Sequence, residues 1–128
     1  MKAIVMTKVG PPEVLELRER PEPSLTSPTQ IKVRVRAAGV NPIDTKLRRR
    51  GLLFPEGLPA ILGCDGAGVV VEVGAAVSNL SPGDEVWYCH GGLGADPGNY
   101  AEYHLVEAAL ARRKPRSLDF QHAAAGPL

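Results

Sequence analysis

The residues with the clearest capacity for chemistry lie in one glycine-rich stretch, LGCDGAGVVVEVG, at positions 62 to 74. This stretch places a thiol, Cys64, beside an acid, Asp65, ahead of a run of valines. Such residues can form a phosphate-binding glycine loop, a metal site, or a tight turn into a buried strand. By residue type alone, Asp65 is either a turn-former that bonds nearby backbone N–H groups, which is favoured, or a cleft residue.

The spacing of the glycines argues against a nucleotide site. Dinucleotide-binding loops carry G-x-G-x-x-G between a strand and a helix. Here Gly63, Gly66 and Gly68 give the order G-x-x-G-x-G and precede valines, and GGLGADPG at 91–98 also lacks the spacing. We therefore predict that these glycines form a turn that requires positive φ and close backbone approach.

A metal site and a hydrolytic site are also disfavoured. The two cysteines and three histidines form neither C-x-x-C nor H-E-x-x-H. Cys89 and His90 are adjacent, so on a strand they point to opposite faces. The chain has no G-x-S-x-G motif, and His104 is interpreted as a surface histidine or one with satisfied hydrogen bonds. Both cysteines are expected to be reduced.

Short strands and helices must position these residues. Apolar and basic residues alternate over 30–40, which predicts a strand with its basic side chains in solvent. The segment 41–51 predicts a helix that begins after Asn41 and stops at Gly51. Leu15 and Leu17 share one face of a strand over 14–20, and Ser117 is the expected N-cap of a last helix. The other predicted strands lie within 2–7, 69–73, 80–88 and 99–107.

Length, charge and hydropathy exclude several classes of function. The 128 residues suffice for one domain. A net charge of +1 gives no electrostatic basis for a nucleic-acid or membrane partner. No apolar run approaches the roughly 20 residues of a membrane span, and the N-terminus lacks the features of a signal peptide. The sequence thus predicts a cytoplasmic, mainly β protein built as a small barrel or sandwich.

Four motifs together resemble the N-terminal catalytic region of medium-chain dehydrogenases/reductases. They are A-A-G-V-N-x-x-D, G-x-D-x-x-G-x-V-x-x-V-G, P-G-D-x-V and Y-A-E-Y, in this order. Within that superfamily the chain resembles the zinc-free quinone oxidoreductase branch of the zeta-crystallin type. The resemblance implies a GroES-like catalytic domain, a partly open β-barrel with short helices, over 1–116. It also implies that 117–128 begin the helix that connects to an NADPH-binding Rossmann domain, which this chain lacks.

The resemblance also implies the site. Asn41, Asp44 and Asp65 are the expected catalytic residues, and Asn41 and Asp44 are expected to contact the cofactor near its nicotinamide. Asn41 and Phe54 are the expected substrate-binding residues. Phe54 replaces a tyrosine common in the family, and it either stacks on a flat acceptor or packs its loop. No zinc is expected, because zinc-dependent relatives carry cysteine, histidine and glutamate where this chain has Asn41, Cys64 and Asp65.

The implied activity is reduction of a small-molecule quinone or α,β-unsaturated carbonyl with NADPH. Without a metal there is no Lewis acid to lower the pKa of an alcohol, so alcohol oxidation is disfavoured. The full-length protein is expected to be a homodimer, whereas this chain alone is expected to be inactive and to bind NADPH weakly. Two alternatives stay open: a stand-alone GroES-like binding module without catalysis, and a relative of the zinc-dependent alcohol dehydrogenases, since Cys64 could bind zinc.

Overall fold

The structure, a computed structural model, describes residues 1–128 with the exception of the side chain of Pro55. None of the helices that it describes has the length and hydropathy needed to cross a membrane. The elements are strands β1 (Lys2–Met6), β2 (Leu15–Glu19), β3 (Gln30–Ala38), β4 (Asp65–Val73), β5 (Glu85–Cys89), β6 (Tyr103–Glu107) and β7 (Arg112–Arg113), and helices α1 (Pro42–Arg50) and α2 (Phe120–Ala124), with 3₁₀ turns at Pro12–Val14, Pro55–Gly57 and Ala108–Leu110.

The strands form two antiparallel sheets. Five strands make one sheet in the order β6-β3-β4-β5-β7, and β1 pairs with β2 in a second, two-stranded sheet. Isolated bridges from Ala3 to Ala101 and from Met6 to Ala60 join the small sheet to the rest of the chain. The predicted mainly β class with short helices is confirmed.

The alternation in β3 explains how the larger sheet acquires its core. Ile31 and Val33 are fully buried and pack with valines of β4, β5 and β6. Arg34 and Arg36 are exposed, and Lys32 pairs with a glutamate of the preceding loop at 2.7 Å. The predicted strand and its basic solvent face are therefore confirmed.

Strand β4 begins four residues earlier than predicted, at Asp65. Gly63 alone of the three glycines has positive φ, at +99°. Gly66 and Gly68 lie inside the strand, so the turn predicted for them is wrong. Their role is close approach: a Cβ on Gly66 would collide with the Asn99 side chain, and one on Gly68 would collide with the backbone of β3.

Helix α1 has the predicted boundaries. Asn41 is its N-cap and Gly51 its C-cap, and Gly51 adopts a φ of +117° that favours glycine. Basic residues occupy the last turn, where they complement the helix dipole. One of them, Arg48, is buried and donates a hydrogen bond to the carbonyl of Gly10.

Helix α2 starts later than predicted. Its N-cap is Asp119, whose carboxylate accepts a hydrogen bond from the backbone N–H of His122 at 2.8 Å, and Ser117 lies in the preceding turn. The carboxylate of Asp119 thus supplies the cap that the prediction assigned to Ser117. Ala123 and Ala124 of the helix pack on β4.

Candidate functional site

The start of α1 and the start of β4 bring two carboxylates into one buried region. Asp44 is 3% exposed and Asp65 is 1% exposed. The Oδ2 atom of Asp44 accepts from the backbone N–H of Asn41 at 2.8 Å, and Oδ1 accepts from that of Gly63 at 3.2 Å. Asp44 therefore ties the first turn of the helix to the loop that leads into β4.

The side chain of Asn41 faces the second carboxylate. Its Nδ2 donates to Oδ2 of Asp65 at 2.9 Å, and the backbone N–H of Leu128 donates to the same oxygen at 3.3 Å. Oδ1 of Asp65 is buried and has no hydrogen-bond partner among the described residues. The carboxylate of Asp65 does not bond the N–H groups of its own turn, so the favoured interpretation as a turn-former is wrong.

Cys64 completes this group, and we call Asn41, Asp44, Cys64 and Asp65 the Asn41 cluster. The thiol is buried, and burial first, then the charges of Asp44 and Asp65, raise the pKa of Cys64 to about 11. Partial burial and the neighbouring Asp65 carboxylate also raise the pKa of Cys89 to about 11. Both cysteines are free thiols, and both are protonated at neutral pH.

Asn99 supports the cluster, and sequence reasoning missed it. It is 1% exposed, and its Nδ2 lies 3.1, 3.2 and 3.3 Å from the carbonyl oxygens of Gly63, Cys64 and His90. Its Oδ1 accepts from the hydroxyl of Tyr88 at 2.8 Å. One amide thus fixes the loop that presents the cluster. A single asparagine in a polar segment gave no signal of this role.

Tyr100 is a second residue that sequence reasoning missed. Its hydroxyl donates to the carbonyl oxygen of Gly39 at 3.3 Å, and its ring lies against Gly63. Burial, followed by the nearby Asp44 carboxylate, raises the pKa of Tyr100 above its usual value. The phenol therefore stays protonated beside the cluster.

Phe54 occupies a different setting from the other predicted site residues. It precedes the 3₁₀ turn Pro55–Gly57 and is 49% exposed. Among the described residues it shares no hydrogen bond or buried apolar cluster with Asn41, Asp44 or Asp65. The structure therefore brings together the three predicted catalytic residues and leaves Phe54 on an exposed loop.

His104 is buried, so its interpretation as a surface residue is wrong. Its Nδ1 lies 3.2 Å from the carbonyl oxygen of Gly98, but its Nε2 has no partner in the described part of the chain. The alternative prediction, a histidine whose ring nitrogens have hydrogen-bond partners, is thus correct for Nδ1 only. Burial first, then the neighbouring His90, lower the pKa of His104 to about 4.

The chain is similar to a known domain family and to several known proteins. Residues 27–116 match the family described as alcohol dehydrogenase GroES-like domain. A quinone oxidoreductase of Pseudomonas aeruginosa is 42% identical over 124 residues, which cover 97% of this chain and 36% of that protein. The chloroplastic NADPH-dependent alkenal/one oxidoreductase of Arabidopsis thaliana is 38% identical over 133 residues, which cover 100% of this chain and 34% of that protein.

A solved structure shows the same fold. The crystal structure of an NAD-dependent alcohol dehydrogenase matches with a TM-score of 0.91 at 36% identity, and the match covers 100% of this chain and 43% of that one. The chain spans about a third of the length of the two curated relatives, at 36% and 34%.

Proposed function

The chain belongs to the alcohol dehydrogenase GroES-like family of the medium-chain dehydrogenases/reductases, and from this membership we propose that it is the catalytic domain of a zinc-independent, NADPH-dependent oxidoreductase. Its proposed substrates are quinones or α,β-unsaturated carbonyls, in keeping with the names of the two curated relatives. We further propose that 1–116 form this domain and that 117–128 begin the connection to a Rossmann domain. The family match ends at residue 116, which is the observation that motivates the proposed boundary.

The observation that carries the proposal is the hydrogen bond from Asn41 Nδ2 to Asp65 at 2.9 Å. A carboxamide N–H₂ group has two hydrogens, so the second N–H is available to a substrate. When a carbonyl acceptor is reduced, negative charge develops on its oxygen, and a positioned donor stabilises that charge. Asp65 orients the donor, and Asp44 holds the backbone of Asn41 in place.

The cluster also fits the nicotinamide end of the cofactor. Oδ1 of Asp65 is buried and has no partner among the described residues, so it is an acceptor for an amide N–H₂ donor that reaches it when the cofactor binds. Each oxygen of Asp44 accepts from one backbone N–H group, so Asp44 positions Asn41 and keeps acceptor capacity for the proposed contact with the cofactor. NADPH supplies the hydride when it is bound. The residues of this chain orient the acceptor and exclude water from it.

The chemistry of the donors supports a zinc-free site. Zinc is bound by thiolate, imidazole and carboxylate groups. Position 41 instead offers a carboxamide, whose nitrogen donates to Asp65 and is not a zinc ligand of this kind. Across the residues that the structure describes, no three His, Cys, Asp or Glu side chains gather so that they could hold a metal ion.

Assays of the complete polypeptide that carries this chain test the proposal. We expect oxidation of NADPH with 1,4-benzoquinone or 3-buten-2-one as the acceptor, at a rate unchanged after treatment with a chelator. Asn41→Ala is expected to lower kcat/KM by about 100-fold because it removes the donor. The exposed Asn79→Ala variant is the matched control and should keep the wild-type value.

The rival functions give different results in the same assays. Alcohol oxidation that a chelator abolishes would establish a zinc-dependent dehydrogenase instead. The absence of turnover with either acceptor would favour the binding module. The reading frame after Leu128 offers an early check, since a G-x-G-x-x-G-like motif favours the enzyme and a stop codon favours the module.

A further inference from the structure

A cavity of about 590 Å³ lies outside the Asn41 cluster. It is bounded by β6, by the loop that follows β2 and by residues that follow β5. Asn41, Asp44 and Asp65 do not line it. Small-molecule sites in proteins occupy roughly 300 to 1,000 Å³, so this cavity has room for a compact ligand.

One wall of the cavity carries an unused hydrogen-bond acceptor. His104 is 3% exposed and lines the cavity. Its Nδ1 lies 3.2 Å from the carbonyl oxygen of Gly98, and because a carbonyl only accepts, Nδ1 carries the proton. In the neutral ring Nε2 is then a lone-pair acceptor, and it has no partner among the described residues. A buried acceptor in this state favours any ligand that brings a donor.

The neighbouring rings determine how a ligand reaches this acceptor. Tyr88 stacks on His104 with the ring centroids 5.6 Å apart, and His90 stands edge-on at 5.7 Å. Nε2 itself has less than 1 Å² of accessible surface. The side chain of His90 is 25% exposed, and a distance of 3.8 Å makes its contact with Asp96 a loose one. A ligand therefore reaches Nε2 only when a neighbouring side chain moves, and His90 is the adjacent ring with the weaker contacts of the two.

The rest of the wall is more apolar than polar, and the N-terminal ammonium of Met1 on it is already paired with Glu19 at 3.7 Å. Ile61, Leu105 and three prolines contribute apolar surface. Arg20 and Asp96 carry opposite charges on the same wall, so the cavity does not select an ion of either sign. An apolar wall with a single buried acceptor matches a neutral aromatic body with one donor group.

We propose that this cavity binds a small hydroxyl-bearing aromatic molecule of the phenol class, whose O–H donates to Nε2 of His104. The site is separate from the Asn41 cluster, and the proposal does not depend on the oxidoreductase function.

Two probes that differ only in the donor test the proposal. Binding of 2-naphthol and of 2-methoxynaphthalene to the 128-residue chain is followed at pH 7 by NMR with ¹⁵N-labelled histidine. We expect 2-naphthol to shift the His104 Nε2 resonance in a saturable way. The methoxy compound should bind about tenfold more weakly, because it cannot donate a hydrogen bond.

Two variants locate the site. Leu105→Trp fills the cavity and is expected to abolish binding of both probes, whereas Leu110→Trp, at an exposed residue outside the cavity, should bind like the wild type. His104→Phe removes the acceptor and should equalise the two affinities. Equal affinities in the wild type, unchanged binding in Leu105→Trp, or the lack of a saturable shift would overturn the proposal. The wild-type probe pair decides the matter even where a variant does not fold.

Discussion

Replacing His104 should change how the stability of the chain depends on pH. Burial lowers the pKa of His104 from 6.5 to about 4. As the pH falls below 6.5, the unfolded chain binds a proton that the native state does not, so the free energy of unfolding decreases until the pH reaches about 4. The difference between the two pKa values lowers the free energy of unfolding by about 3 kcal/mol in total. About 2 kcal/mol of this is lost between pH 7 and pH 5.

The variant His104→Phe keeps a ring against Tyr88 but has nothing to titrate. Its loss of stability between pH 7 and pH 5 should therefore be about 2 kcal/mol smaller than that of the wild type. Urea unfolding at pH 7, 6 and 5, followed by the fluorescence of the single tryptophan, Trp87, measures this difference. The quantity to compare is the change in the free energy of unfolding between two pH values. The substitution also removes the contact with Gly98, so the stability at any single pH differs for that reason as well.

The matched control is His122→Phe, since the side chain of His122 is 76% exposed. This variant removes only an exposed contact with Asp119 at 2.7 Å, so it should change the loss of stability between pH 7 and pH 5 by much less than His104→Phe does. If His104→Phe and the wild type lost the same stability between pH 7 and pH 5, His104 would not be held neutral by burial, and the reasoning would fail.

Three further predictions concern the loop that presents the cluster. Gly63→Ala should lower the free energy of unfolding by more than about 1 kcal/mol, because φ is +99° and the new Cβ would lie 2.6 Å from the Tyr100 ring; unchanged stability in urea would contradict this. Asn99→Ala should cost about 2 kcal/mol, since it leaves the buried hydroxyl of Tyr88 without its acceptor and removes the amide that joins three loop carbonyls, and a loss below about 0.5 kcal/mol in the same assay would refute it. Cys64 and Cys89, with pKa values of about 11, should react slowly with iodoacetamide at pH 7 and about tenfold faster per pH unit above it; a fast phase at pH 7 would disprove this.

Elements with a local signal were predictable from the sequence. The strand over 30–40 is confirmed as β3 because alternation of apolar and basic residues directly reflects its two faces. The helix over 41–51 is confirmed because Asn41 and Gly51 act at its own ends. Both features depend on residues that are close together in the chain.

Features that depend on distant neighbours were not predictable. The first residues of β4 are small, so they give no periodic signal, and they join the sheet because β3 and β5 approach them closely. Leu15 and Leu17 were predicted to share one face of a strand, but alternation alone did not reveal that Leu17 is 66% exposed, in a strand that pairs only with β1. The hydrogen bonds of Asn99 reach residues up to 36 positions away, and no local pattern encodes them.

The same limit applies to the candidate site. The residue types of Asn41, Asp44 and Asp65 and the family motifs pointed to three residues that the structure places together, and their catalytic role stays a prediction. The different contacts of these three residues could not be predicted and became visible only in the structure. Only the hydrogen bonds show that each oxygen of Asp44 accepts from a backbone N–H, while Asp65 keeps one oxygen without a partner among the described residues.

The carboxylate of Asp44 has a consequence for local motion. It holds the amide of Asn41, three positions away, and the amide of Gly63, 19 positions away. These two amide protons therefore share one acceptor group, and a displacement of the Asp44 side chain exposes both to exchange with solvent. The first turn of α1 and the entry to β4 are linked through this carboxylate, so a substitution of Asp44 loosens both sides of the Asn41 cluster at once.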